Sequence, residues 1–240
     1  MLAAWYLTTT ATGFIDPARF PAPDESWDAL RQIVFAGYAD ARLHEHILHS
    51  TELVLMGFVA AVSVGLPLGL AMGWSRTAEA VINPAFLLIR PIPPLAWIPL
   101  AIVWLGLGDG AKVLVIWFAA FVPSVINSYA GVRAIEPHMI EAARMLGVSR
   151  WMLVREVLVP GALPLIFTGL RLSLQACWTT LVAGELIGAI AGLGRVLQQG
   201  ALDIFPAMIL VGMAGVALCG GLMTGALGWI ESRAMPWRRA

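Results

Sequence analysis

Residues 141–160 read EAARMLGVSRWMLVREVLVP, a run of mixed charge set between segments that are otherwise apolar. A stretch carrying Glu141, Arg144, Arg150, Arg155 and Glu156 does not sit in hydrocarbon, so it marks a loop outside a membrane and the apolar segments flanking it mark crossings. Within it, helical spacing runs over residues 137–146, Gly147 suits a left-handed helix end, and Ser149 is placed to cap a second helix from Arg150. Two short helices meeting at a glycine are expected. Ala142 and Ala143 leave part of the first nearly bare, so another protein surface could approach its backbone, with Glu141, Arg144, Arg150 and Arg155 around the contact.

The chain of 240 residues is 59% hydrophobic and 12% charged, which excludes an ordinary soluble domain and allows five or six membrane helices of about 20 residues each. The expected fold class is all-α and polytopic. If the loop over 134–160 is cytoplasmic, Arg76, Arg133, Arg144, Arg150, Arg155 and the tail arginines share its side, against Arg19, Arg31, Arg42, Lys112 and Arg195 on the other. That excess is what the positive-inside rule requires, and it uses none of the loop's own pattern. Cys177 and Cys219 each fall in an apolar segment and read as packing residues rather than a disulfide framework.

Residues 1–15 are apolar but short of the roughly 20 needed to cross; without a basic leader they read as a clipped membrane helix rather than a signal peptide. Residues 16–50 are polar and acidic, an expected outer linker with a surface helix over 24–34. His44, His46 and His49 cluster there beside Glu45, yet Leu48 stands where a second HExxH histidine would, so a solvated helix face is expected and no metal site. Crossings are expected over 53–74, 81–107, 113–132, 163–190 and 204–230. Gly65, Gly69 and Gly73 give the first of these one smooth face, and Gly221 and Gly225 form a small-residue pair in the last.

The crossing over 81–107 is interrupted by Arg90-Pro91-Ile92-Pro93-Pro94 and by Pro99. Prolines remove backbone donors, so the break has to face protein or a water-filled path. Arg90 either lines that path or snorkels toward the nearer interface; snorkelling or a structural pairing is preferred, because only roughly 10 residues separate it from the membrane edge. Trp97 and the polar patch Trp178-Thr179-Thr180 lie near the middle of their crossings and, with Arg90 and Glu185, are the candidate path residues. Glu185 serves equally well as an interhelical group or as a ligand contact.

Lys112, the chain's one lysine, follows Ala111 and precedes no Ser or Thr, so there is no phosphate loop and no nucleotide-hydrolysing motor. Neither a carboxylate pair nor a Ser-His-Asp set stands out. No catalytic residue and no cofactor of the chain's own are expected.

Glu141-Ala142-Ala143, Gly147 and Val157-Leu158-Val159-Pro160 fall at the spacing of the EAA loop, and the chain resembles the permease subunits of bacterial ABC importers. The stretches Arg90 to Pro99, Trp104 to Gly108, Gly169-Leu170-Arg171, Val182 to Leu186 and Gly192-Leu193-Gly194 resemble the taurine, alkanesulfonate and nitrate branch. The resemblance implies a type I importer permease fold over 51–240, preceded by a short hydrophobic segment and linker over 1–50. It implies an inner-membrane complex of two permease copies, two cytoplasmic ATP-binding subunits that hold ATP and magnesium, and a periplasmic or lipid-anchored substrate-binding protein. Glu141, Ala142, Ala143, Arg144, Gly147, Ser149 and Arg150 would couple to the ATPase, the carboxyl end would be cytoplasmic, and nucleic acid would have no part. Taurine or another alkanesulfonate is the implied substrate, with nitrate or another small organic anion as the alternative. A stand-alone channel or ion-coupled transporter would instead use Arg90, Arg171 and Glu185 as a charge relay, and an intramembrane enzyme would need a facing nucleophile and base.

Overall fold

A computed structural model describes residues 5–11, 20–185 and 191–239. Among these described residues ten α-helices run in chain order: α1 Pro23–Arg31, α2 Leu43–Trp74, α3 Arg76–Ile89, α4 Ile98–Leu105, α5 Asp109–Arg133, α6 Pro137–Met145, α7 Arg150–Leu153, α8 Val159–Glu185, α9 Leu193–Leu202 and α10 Pro206–Ala234. Four stretches are long and apolar enough to cross a membrane: α2, α5, Arg150–Glu185 and α10. A fifth counts if α3 and Pro94–Leu105, which meet at 81°, form one broken span. Of the expected short first helix, residues 1–4 and 12–15 lie outside the described residues, as do 186–190 at the end of the fifth expected crossing.

Helices α2 and α5 lie parallel and almost backbone to backbone. A Cβ on Gly57 would come 2.5 Å from Ile116 Cγ2, one on Gly69 2.5 Å from the Val125 carbonyl oxygen, and one on Gly73 2.6 Å from Val132 Cβ. The small face expected from Gly65, Gly69 and Gly73 thus continues through Ala61 to Gly57. Helix α8 packs antiparallel against α5, with Gly169 under Asn127 and the Ser173 hydroxyl donating to the Ala120 carbonyl at 2.8 Å. Leu53, Val54, Ile116, Phe121, Leu174, Cys177, Trp178 and Leu181 fill the seam between these three helices. Both cysteines are free thiols. Gly221 and Gly225, by contrast, would meet nothing within 4 Å, so the expected small-residue pair packs against no described part of this chain.

Helix α2 starts ten residues before the expected crossing. Its 32 residues span about 48 Å, well beyond a hydrocarbon core of about 30 Å, so its first turns project past the membrane. The segment expected as linker is helical because Glu45 caps the Arg42 N–H at 2.6 Å and the inward face is covered by other elements. His46 is therefore fully buried rather than solvated.

Candidate functional site

At one end of the bundle the loop has the anticipated form. Pro137 opens α6, Gly147 turns at φ 76°, and the Ser149 hydroxyl accepts from the Met152 N–H at 3.3 Å. The second short helix is not separate, however: α7 continues through a π-helical turn, Val154–Leu158, straight into α8. Ile140 and Val154 anchor the loop against Val132, Leu158 and Ala162. Glu141, Ala142, Arg144, Gly147, Ser149 and Arg150 are exposed, whereas Ala143 turns inward at 9% exposure. Only one alanine of the expected bare patch is thus free. What the pattern had not drawn attention to is the apolar surface beside it: Met145, Leu146 and Trp151 are 90%, 82% and 74% exposed, the first two in the loop and Trp151 in the first turn of Arg150–Glu185, whose 36 residues, about 54 Å, overrun a hydrocarbon core of about 30 Å.

The broken crossing sits deeper than expected. Ser75 caps α3, accepting from the Ala78 N–H at 3.3 Å, so the helix starts at Arg76 and rises about 21 Å before Arg90. Phe86 meets Phe121 edge to face, and Trp97 stacks on Phe118 with centroids 4.0 Å apart. Phe118 and Phe121 lie midway along α5, so Arg90 stands level with the middle of that helix rather than near its loop end. Its side chain is exposed and has no partner among the described residues.

The other path candidates do not share one surface. Successive residues on a helix point about 100° apart, and Trp178-Thr179-Thr180 divides accordingly. Trp178 is buried in the core with its indole N–H unpartnered. Thr179 is exposed, its hydroxyl returned to the Gln175 carbonyl at 3.1 Å. Thr180 is buried and lines a cleft with Lys112.

Glu185 is fully buried and accepts from the Ser50 hydroxyl at 2.8 Å and the Gly194 N–H at 2.7 Å. Ser50 in turn accepts from the Leu193 N–H at 2.8 Å. The first turn of α9 is thereby tied to α2 and α8 through its own backbone donors, which a helix start leaves unpaired. His46 completes the clasp: Nδ1 accepts from the Gly192 N–H at 3.0 Å while Nε2 faces the Tyr38 carbonyl at 2.9 Å, which requires the Nε2–H tautomer. Of the two readings of Glu185, these contacts match the interhelical one. Just outside, Tyr38 donates to Asp203 at 2.5 Å, and Arg195 lies 3.7 Å from Asp40. Burial first, then the Asp203 hydrogen bond and charge, push the Tyr38 phenol above its ordinary value, so it stays protonated and keeps donating.

Glu79 holds Tyr129 and Arg133 near the loop end of α5, and Arg171, farther along α8, pairs with Glu231 at the end of α10. Arg171 is thus spent on a neighbouring helix, which leaves no relay joining it to Arg90 and Glu185. Among the described residues no group of three His, Cys, Asp or Glu is arranged to hold a metal ion.

Comparison with known proteins gives a consistent picture. The family described as "Binding-protein-dependent transport system inner membrane component" matches residues 65–235. The taurine transport system permease protein of Escherichia coli (strain K12) is 37% identical over 238 residues, 99% of this chain and 86% of that one. A putative aliphatic sulfonates transport permease protein of Bacillus subtilis (strain 168) is 28% identical over 100% of this chain and 85% of its own. A nitrate import permease protein of Leptolyngbya laminosa is 30% identical over 88% and 76%. Among solved structures, an inward-facing methionine ABC transporter aligns with TM-score 0.63 at 21% identity, over 77% of this chain and 95% of that one.

Proposed function

The chain belongs to the family of binding-protein-dependent transport system inner membrane components, and from that premise we propose that it forms the translocation path of an ATP-driven importer for alkanesulfonates, taurine foremost. As an ABC importer permease it is a multi-pass inner-membrane subunit and not an enzyme. The observation that carries the reading is the projecting loop. A soluble partner surface has reason to cover Met145, Leu146 and Trp151, because apolar side chains this exposed outside lipid mark contact sites. The partner is an ATPase subunit that binds ATP and magnesium, one on the loop of each of two permease copies, with a substrate-binding protein at the opposite end. On this reading the loop and carboxyl end are cytoplasmic.

Coupling runs through the loop's anchorage. Because Ile140 and Val154 pack on α5 and the start of α8, a shift of α6 with a closing ATPase pair moves crossing helices rather than a free hairpin. Glu141, Ala142, Arg144, Gly147, Ser149 and Arg150 meet the ATPase, with Ala143 setting the helix against the bundle. Arg90 supports an anion as cargo: a bare guanidinium level with the middle of a crossing helix faces water or a negative charge, not lipid. The similarity to taurine and sulfonate permeases supports the sulfonate choice within that class.

The test is uptake into sealed vesicles containing the permease, its ATPase and its binding protein, comparing taurine, hexanesulfonate and nitrate. ATP-dependent taurine uptake is expected. Uptake by the permease alone without nucleotide would replace the importer by a channel or ion-coupled carrier, and uptake of nitrate but not taurine would move the substrate to the alternative.

A further inference from the structure

Past its first turn, α8 exposes its side chains along a single stripe. Thr168, Arg171, Leu172, Gln175 and Thr179 are exposed, and at about 100° per residue they fall within about 100° of the helix circumference. All but Leu172 are polar. The exposed stripe of α2 is built instead around Leu55, Met56, Val59 and Val64, and that of α10 around Met213, Leu218, Leu222 and Trp229. Faces of the second kind suit lipid, whereas a polar group left unpaired in hydrocarbon is costly. The α8 stripe therefore faces water or a polar partner.

Gln175 is the member of the stripe left unpaired. The Thr168 and Thr179 hydroxyls donate to the Pro164 and Gln175 carbonyls at 2.9 and 3.1 Å, and Arg171 is taken by Glu231. The Gln175 carboxamide has no partner among the described residues, so two N–H donors stand free. Its depth follows from its neighbours. Ser173 reaches the Ala120 carbonyl, and Gln175, about half a turn farther along an antiparallel helix, is level with Phe118, on which Trp97 stacks. That is also the level of Arg90, and the turn Pro94–Trp97 of the broken crossing touches α8. The stripe runs between this crossing and α10: Trp178, just past one edge, lies by Gly220, and Thr180, past the other, meets Ile98 and Ile102.

We infer that this stripe of α8 lines the translocation path and that the Gln175 carboxamide is a specificity-determining group, donating to the sulfonate oxygens as cargo passes Arg90. The inference rests on the importer reading and names the surface that cargo meets inside the membrane. A neutral donor suits transit, because conduction needs contacts weak enough to leave. Arg90 draws an anion to this depth, and the carboxamide binds its oxygens without adding a second charge that would hold it there.

The experiment treats the purified permease–ATPase complex carrying Gln175→Cys with 2-sulfonatoethyl methanethiosulfonate, an ionic reagent that modifies thiols exposed to water. Val59→Cys is the control: Val59 is 60% exposed on α2, two residues past Gly57, which faces Ile116, so it too is level with Phe118. Intact mass is expected to show Gln175→Cys modified, and Val59→Cys and wild type, whose Cys177 and Cys219 are buried, unmodified. Thr168→Cys, about two turns nearer the loop on the same stripe, should also react, and it serves if Gln175→Cys fails to assemble. In sealed vesicles Gln175→Leu, similar in size but without donors, should lower ATP-driven taurine uptake roughly tenfold, the scale of one hydrogen bond to a charged group, and Gln175→Asn should recover part of it, both variants eluting as wild type on size exclusion. The inference is overturned if neither stripe cysteine reacts, if Val59→Cys reacts equally, if Gln175→Cys instead joins two copies by a disulfide that shuts the reagent out, or if Gln175→Leu imports taurine at the wild-type rate. The vesicle assay separates the two failures: a wild-type complex that imports taurine while the stripe cysteines stay unmodified refutes the stripe alone, and one that imports no anion refutes the importer reading.

Discussion

Gly147 turns in open space, with nothing within 4 Å of where a Cβ would be, so its need for glycine comes from backbone angle and not from crowding. Gly147→Val should therefore be strained by about 1 kcal/mol or more, while Gly147→Asn, a residue that tolerates the left-handed region, should be nearly neutral. The expected outcome is insertion in both variants, with loss of ATPase co-purification and of stimulated hydrolysis in the valine variant only; loss of both in the asparagine variant would mean that the side chain itself collides with the partner. At the far end the clasp makes a sharper stability claim. Ser50→Ala leaves the Leu193 N–H and one Glu185 oxygen short of a partner in a buried site, at a cost of about 1–3 kcal/mol. Thermal unfolding in detergent checks it, and an unchanged midpoint would mean that water replaces the hydroxyl. The turn at Gly147 and the cap at Ser149 were legible in the sequence because both are decided within a few residues of chain. His46 was not, since its burial depends on Gly192, 146 residues away, and neither was the meeting of Lys112 with Thr180.

Among elements, the α2–α5 pair is the most constrained. Gly69→Ala places a methyl group against a backbone oxygen that cannot turn aside, and should destabilise by about 1–3 kcal/mol. Gly225→Ala meets nothing among the described residues and should be neutral or stabilising by up to about 1 kcal/mol through helix propensity. Equal effects in detergent unfolding would show that the fourth-residue glycine spacing, and not the contact it makes, governs stability. The α2 stripe was readable because glycine recurs on one helical face, but the same spacing in α10 carried no information about whether a partner helix lies opposite. The broken crossing was recognised from its prolines, which forbid a regular helix. Its depth was misjudged because the start of α3 depends on the Ser75 cap, and hydropathy alone placed that start several residues late. The beginning of α2 was missed for a related reason: hydropathy falls where a helix leaves the membrane, yet the helix itself continues as long as other elements cover one face.

For the molecule as a whole, a cation level with the middle of α5 and without a partner among the described residues, and a small-residue pair on α10 with no described neighbour, are both consistent with surfaces completed by another chain. Two permease copies per complex are expected, since each chain offers one docking loop and closed symmetric pairs are the commonest assembly. Native mass measurement of the purified complex checks this, and a single permease copy would contradict it. Arg90 then bears on biogenesis as well as transport. Each newly made chain enters the bilayer before its partner arrives, with this guanidinium carrying an insertion penalty of about 2.5–3.5 kcal/mol. Solitary copies would thereby be marked as incompletely assembled, in a form that membrane proteases could act on, and pairing would remove the mark. In a pulse-chase of the chain expressed without partners, Arg90→Leu should lengthen the half-life even though it impairs uptake in the full complex; decay at the wild-type rate would mean that the lone chain already hydrates its arginine. One charge would then set both what crosses the membrane and how long an orphaned subunit survives in it.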